Sequence, residues 1–263
     1  MSAANDDLLT ELDGRVLRLT INREDKRNAL SAAVMQGMLD AVAAASDDPQ
    51  IRVVVLASAG ERVFCSGADL AVMGNDATGL EQHEGRGLLA RLVLAMRACR
   101  VPIVARVQGL CLAGGIGLAA GADVVLARES AAFGMPEIDR GLWPFMVSAL
   151  LARHVSPKHA MDRMLIGDRF DARAAYEMGL VSRVFPDASF DAEFDGYVGK
   201  LASSAPVAIR LGKAAWVSAT ETPSLPAALE AMQAQLSLLT TTKDAVEGIS
   251  AFFDKRPPEW TGR

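Results

Sequence analysis

Between Val107 and Ala127 the chain is apolar enough to suggest a membrane span, yet Gln108, Asp123 and the glycines Gly109, Gly114, Gly115, Gly117 and Gly121 are set into it. A spanning helix needs about 20 predominantly apolar residues without such interruptions. A buried strand, a turn of small residues and a helix account better for the same residues, with Ile103 to Val107 as the strand. Residues without bulk let backbone N–H groups approach a ligand closely, so a turn of this kind can hold an oxyanion. Downstream, Glu137 in Phe133-Gly134-Met135-Pro136-Glu137-Ile138 is a lone carboxylate in apolar surroundings. Desolvation there would raise its pKa toward the range useful for moving protons at neutral pH.

The order strand, glycine turn, helix recurs. Asp13-Gly14 is a hairpin turn signal between Glu11 and Arg23, and Val16, Arg18 and Thr20 alternate with Leu17, Leu19 and Ile21. After the charged loop Asn22 to Asn28, Ser31 caps a helix with Val34, Met38, Leu39 and Val42 on its apolar face. Ile51 to Ser58 is a continuous apolar run, as a sheet covered on both faces demands. A second glycine turn, Phe64-Cys65-Ser66-Gly67-Ala68-Asp69-Leu70, follows directly. Met73 to Gly87 is polar and glycine-containing and reads as a loop, a candidate mobile cover. Leu88, Leu89, Leu92, Val93 and Met96 mark a helix, and Pro102 opens the strand that leads to the central stretch. Another strand is expected at Val124 to Ala127 and a helix near Met146 to Arg153. Strands beginning near residues 53 and 103 hint at a repeated spiral, although only the turns are self-similar.

From Ser156 onward the pattern is almost wholly helical: Pro157 to Leu165, Asp171 to Met178, Phe190 to Ser203, Pro206 to Ser218, and finally Thr242 to Lys255. Leu225, Leu229, Met232, Leu236 and Leu239 recur at spacings of 4, 3, 4 and 3, a seam for packing on its own chain or on another subunit. A net charge of −5 and a pI near 5.3 argue against a nucleic-acid partner, which needs a concentrated basic footprint. Cys65, Cys99 and Cys111 form neither a disulfide framework nor a metal motif, and Met1 to Glu11 lacks the features of a signal peptide. A cytoplasmic protein with no membrane partner is the expectation.

Nucleotide and hydrolase motifs fail on inspection. Gly109 and Gly114 have P-loop spacing, but Gly115 and Ile116 stand where Lys and Ser or Thr are required. Gly115, Gly117 and Gly121 give a spacing one residue longer than the dinucleotide fingerprint. There is no GxSxG elbow, and His83, His154 and His159 fall in a loop and on polar helix segments, as surface residues. Cys65 and Cys111 are assigned to packing. A pair of turns with free amides, at Ala68 and Gly114, and one carboxylate remain.

Five ordered motifs now resemble those of one family: INREDKRNALS (Ile21 to Ser31), FCSGADL (Phe64 to Leu70), QGLCLAGGIGLAAGAD (Gln108 to Asp123), FGMPEIDRGL (Phe133 to Leu142) and FFDKRPPEWTGR (Phe252 to Arg263). They are similar to the crotonase, or enoyl-CoA hydratase/isomerase, superfamily over nearly the whole chain. The resemblance implies an α/β fold with a spiral ββα catalytic core, residues 1–200, and a C-terminal helical trimerisation region, residues 201–263. It also implies acyl-CoA substrates, a homotrimer or dimer of trimers, and no cofactor, since coenzyme A is part of the substrate. By resemblance the Ala68 and Gly114 amides would bind the thioester oxygen. Lys26, Arg27 and Ala29 would border the CoA nucleotide, Asp69 and Leu70 would shape its passage, Gly115 would lie beside the substrate, and Lys255 would reach the phosphates of CoA on a neighbouring subunit.

One departure matters. Hydratases of this family typically use two glutamates, and Glu137 matches the second while the first falls on Gly117. A single base suits a Δ3-Δ2 allylic proton shift, and hydration through Glu137 alone, with Asp139 as a possible aid, stays open beside it. So does a catalytically inert acyl-CoA binder. The missing side chain at Gly117 would alternatively make room for a bulky acyl group. Trp143, Phe145 and Met146 are placed in the acyl-pocket wall or, by default, in the core.

Overall fold

The structure is a computed structural model that describes residues 6–69 and 78–263. Its spine is a six-stranded sheet ordered β1-β2-β3-β5-β7-β10. The hairpin β1 (Leu8–Asp13) and β2 (Val16–Ile21) is antiparallel, and β3 (Val53–Ser58), β5 (Ile103–Val107), β7 (Val124–Arg128) and β10 (Arg183–Phe185) continue it in parallel. A second sheet, β4-β6-β8-β9, takes β4 (Val63–Cys65), β6 (Leu110–Leu112), β8 (Ala132–Gly134) and β9 (Arg169–Asp171). Each turn of the spiral therefore lays one long strand in the first sheet and a short one in the second, and then enters a helix. The repeat hinted at by strand spacing is real, although sequence shows it only at the turns.

Side-chain alternation explains why β3 is apolar throughout. Val54 and Leu56 face the main core with Leu19 and Ile21, whereas Val53, Val55 and Ala57 face Val104, Leu126 and the helix α8 (Phe190–Ala202). Every residue of β3 is buried, as a strand covered on both faces requires. At the rim of that second face Arg106 and Arg128 lie over the Phe190 ring at 4.8 and 5.2 Å, their charges met by Asp191 and Glu61. On the main face α1 (Ala32–Asp47) buries Val34, Met38 and Val42. The Ser31 hydroxyl accepts the Val34 N–H at 3.2 Å, the expected N-cap.

Helix α3 (Leu88–Ala98) packs on α1 and on the short α4 (Gly114–Gly121), and α5 (Phe145–His154) covers the other side of α4. Four glycines in an eight-residue helix cost helix propensity, roughly 1 kcal/mol each relative to Ala. Close packing explains three of them: a Cβ at Gly115 would lie 2.5 Å from the Cys65 carbonyl oxygen, and one at Gly117 or Gly121 would lie 3.2 Å from Val147 Cγ2 or Val93 Cγ2.

Two sequence expectations need correction, and two short strands were unforeseen. Part of the presumed loop Met73 to Gly87 is a helix, α2 (Gly79–Arg86), started by a capping box in which Thr78 and Glu81 exchange hydrogen bonds; residues 70–77 lie outside the described residues. With no apolar stripe, only its cap signalled it, and that places His83 on a helix. The region after Ser156 is almost wholly helical as expected, but the two unforeseen strands, β9 and β10, interleave with α6 (Pro157–Ile166) and α7 (Ala172–Glu177). Three-residue strands are too short for a period-two pattern to show.

Helices α9 (Pro206–Glu221), α10 (Leu225–Thr240) and α11 (Lys243–Asp254) end the chain. Lys213 ties α9 to the core: its ammonium donates to the Met96 and Val101 carbonyls, each at 3.1 Å, and to Asp123 at 2.6 Å. No residue of α10 is buried, and the seam residues Leu225, Leu229 and Leu236 are each at least 60% exposed. Met232 and Leu239 of the seam are half-buried, so the chain covers part of it and leaves these three leucines exposed.

Candidate active site

Two strand ends converge to make the site. After β4 the chain passes Ser66 and Gly67, the latter at φ +99°, a conformation open to glycine. Leu30 bridges Ala68 in parallel: the Leu30 N–H donates to the Gly67 carbonyl (2.8 Å), and the Asp69 N–H donates to the Leu30 carbonyl (3.1 Å). Strand geometry then turns the Ala68 N–H away from Leu30. After β6, Ala113 starts α4 and leaves Gly114 at its first position, where the N–H has no intrahelical acceptor. The turns abut: a Cβ on Gly114 would lie 3.4 Å from the Ala68 nitrogen, and one on Gly67 would lie 3.0 Å from the Gly114 nitrogen. Among the described residues neither amide has a backbone acceptor outside regular structure. Two free N–H groups side by side can hold a developing oxyanion.

Ala113 is strained. It sits at φ 51°, ψ −123°, a region that side chains rarely occupy. Its N–H donates to the Gly134 carbonyl at 2.9 Å, and its carbonyl accepts the Ile116 N–H at 2.9 Å, so the turn is held from both sides.

The first of those bonds ties the end of β8 to this turn, and Glu137 follows Gly134 by three residues. Glu137 is half-buried, and its Oε2 is enclosed without a hydrogen-bond partner among the described residues. Burial pushes its pKa up, opposed by a hydrogen bond from its own backbone and by the charge of Arg140. A carboxylate held this way is a stronger base than one in water.

The residues expected around the CoA passage split into two groups. Arg27, Ala29 and Asp69 are drawn together: the Ser66 N–H donates to the Arg27 carbonyl at 3.2 Å, while Arg23 bonds the Ala29 carbonyl (2.7 Å) and the Asp69 carboxylate (2.9 Å). Lys26 is exposed at the end of a 3-10 turn, and Ala29 is buried. Leu70 lies outside the described residues. Gly115 is buried against Cys65, where its lack of a side chain serves the packing of α4 on β4. Lys255 is exposed in a left-handed conformation after α11. Asp139 is exposed.

Trp143 is half-buried against the core, but Phe145 is 77% and Met146 40% exposed, so core packing fails for those two. The space at Gly117 is not open: a Cβ there would meet Val147 Cγ2 at 3.2 Å and Leu89 Cδ2 at 3.4 Å. Room for a bulky acyl group at that point is therefore withdrawn. The packing assignment of the cysteines holds, since both are buried and burial raises the Cys65 thiol to about 12.

Sequence reasoning missed Arg23, hidden in a charged loop, and Asn28, whose buried amide donates to the Ala59 and Val63 carbonyls at 2.9 and 2.7 Å. It also missed Val147 and Leu89, ordinary core residues until the helices bring them over Gly117.

Comparison with known proteins agrees with this architecture. The profile of the family described as Enoyl-CoA hydratase/isomerase matches residues 11–263. The chain is 35% identical to a 2,3-dehydroadipyl-CoA hydratase of Escherichia coli K12, over 98% of this chain and 99% of that protein. It is 31% identical to a crotonyl-CoA hydratase of Syntrophomonas wolfei, over 96% and 97%. Among solved structures, an enoyl-CoA hydratase of Mycobacterium smegmatis superposes with a TM-score of 0.91 at 30% identity, covering 97% of this chain and 99% of that one. The chain belongs to the enoyl-CoA hydratase/isomerase family.

Proposed function

We propose that the protein acts on acyl-CoA thioesters through an enolate, with the Ala68 and Gly114 amides on the thioester oxygen and Glu137 as the single acid/base group. The favoured reaction is Δ3-Δ2 enoyl-CoA isomerisation. Glu137 carboxylate takes a proton from C2 of a 3-enoyl-CoA, and the C–H electron pair moves through C1 onto the thioester oxygen. The resulting dienolate collapses as the same carboxyl returns the proton to C4, which leaves the double bond between C2 and C3. Each oxyanion donor is worth about 3 kcal/mol in such a step.

The observation that carries this reading is Gly117. The resemblance expects a second carboxylate there, and the position has no side chain and is closed by Val147 and Leu89. An allylic shift needs one base. Hydration of 2-enoyl-CoA through Glu137 alone is the second reading, favoured by the relatives, which are named hydratases.

Assembly with copies of itself, as a trimer or a dimer of trimers, belongs to the same proposal and is supported by the exposed leucines Leu225, Leu229 and Leu236 of α10 and by Phe252 and Phe253, 77% and 75% exposed on α11. Light scattering on the purified protein tests it; a monomer at working concentration overturns it. Among the described residues no helix is long and apolar enough to cross a membrane.

The reaction is tested with purified protein on 2-enoyl-CoA and 3-enoyl-CoA of several chain lengths, repeated on Glu137→Gln. Isomerisation that is lost in Glu137→Gln is expected. Hydration without isomerisation reverses the order of the readings, and acyl-CoA binding without turnover of either substrate removes both.

A further inference from the structure

Two arginines lie side by side where the large sheet begins. Val16 pairs with Val53 in the parallel register of β2 and β3, so Arg15 and Arg52 occupy the positions just before, and the Arg52 N–H donates to the Arg15 carbonyl at 2.8 Å. Like charges on directly neighbouring strand positions are destabilising unless something neutralises them. Among the described residues no carboxylate lies within ion-pair distance of either guanidinium.

Asp47 and Asp48 stand on the same cleft wall, and each of the nearby acids already holds a donor. Asp47 pairs with Arg100 at 3.0 Å, and Asp48 accepts the Gln50 N–H at 2.8 Å. Asp244, buried beneath, accepts the Thr261 and Gly262 N–H groups at 2.7 and 3.0 Å. Burial and then the charge of Arg15 weaken the hold of Arg52 on its proton, with Asp244 only partly opposing them.

Both arginines line a cleft of about 520 Å³, to which α9 adds Arg210. The cleft is built from residues that precede β2, β3 and β5 together with residues of α9 and the C-terminal segment, whereas Ala68 and Gly114 follow β4 and β6, and neither lines it. Its size lies within the range of small-molecule sites. Trp260 on its wall offers a flat apolar surface beside the charges.

We propose that this cleft is a second binding site, for a small phosphorylated anion held by Arg15 and Arg52 with Arg210 as a third donor. Guanidinium forks match phosphate oxygens in bidentate fashion, and an anion between the two arginines turns their repulsion into attraction.

Isothermal titration of the full chain with pyrophosphate, at constant ionic strength and with saturating coenzyme A present, tests the site. One saturable event per chain is expected, weakened at least tenfold in Arg15→Gln and further in Arg15→Gln/Arg52→Gln. Turnover of enoyl-CoA in Arg15→Gln stays at the wild-type level. If circular dichroism shows Arg52→Gln to be misfolded, Arg15→Gln and Arg210→Gln carry the comparison. No saturable binding at matched ionic strength, binding that coenzyme A abolishes, or binding that Arg15→Gln leaves intact each overturns the proposal.

Discussion

Replacing Ala113 by glycine should make the protein more stable and less active. A non-glycine residue held at φ 51°, ψ −123° carries strain of about 1–3 kcal/mol. Glycine removes that strain but loses more backbone freedom on folding, about 0.5–1 kcal/mol. It also gives up a half-buried methyl group, about 0.4 kcal/mol on a scale of ~0.8 for full burial. The balance favours Ala113→Gly by about 1 kcal/mol. At ~2.1 cal/mol/K per residue the unfolding entropy of a chain this long corresponds to a Tm increase of about 2 °C. The strained ψ also aims the next peptide, whose N–H belongs to Gly114. Loosening it should lower kcat a few-fold with little change in KM, because the amide acts most on the developing oxyanion. Thermal melts at one protein concentration and steady-state kinetics on the better substrate are the assays. A variant less stable than wild type by 1 kcal/mol or more would refute the strain argument.

Glu137→Gln should cost 10²- to 10⁴-fold in turnover, the usual contribution of a positioned acid/base group. Because burial raises the folded pKa of Glu137, the folded protein holds this proton more tightly than the unfolded chain does. Wild-type stability therefore falls as pH rises from the unfolded value of about 4.3 through the raised folded value, and glutamine escapes that loss. Melts across pH should show Glu137→Gln more stable at neutral pH and equal to wild type below about pH 4; equal stability at every pH contradicts the burial argument. Gly115→Ala would set a Cβ 2.5 Å from the Cys65 carbonyl oxygen, so a loss of about 3 kcal/mol is expected by urea unfolding. A neutral result would mean that α4 and β4 separate easily. Lys213→Met leaves the Asp123 carboxylate with the Ile103 N–H but no cation; the pair is mostly buried on the lysine side but about a third exposed on the aspartate, so about 2–4 kcal/mol is expected. Hydrogen exchange should show α9 opening first, and uniform protection would argue against Lys213 as the tie.

Local chemistry made much of this protein legible. Ser31 capped its helix as expected, the β2 alternation is the observed burial pattern, and the apolar run of β3 is buried on both faces. Glycine turns after buried strands pointed to Ala68 and Gly114, and an apolar neighbourhood pointed to Glu137. These features lie within a few residues of one another, where periodicity and propensity act. Helix α2 escaped because it has no apolar stripe, and β9 and β10 because three residues show no period. Gly117 marks the boundary most clearly. That position 117 has no carboxylate was determined by the sequence alone. That Val147 and Leu89 close over it, that Gly67 and Gly114 meet, and that Arg15 stands beside Arg52 were decided by tertiary structure, since each contact joins residues from separate turns of the spiral or from neighbouring strands whose pairing no local pattern encodes.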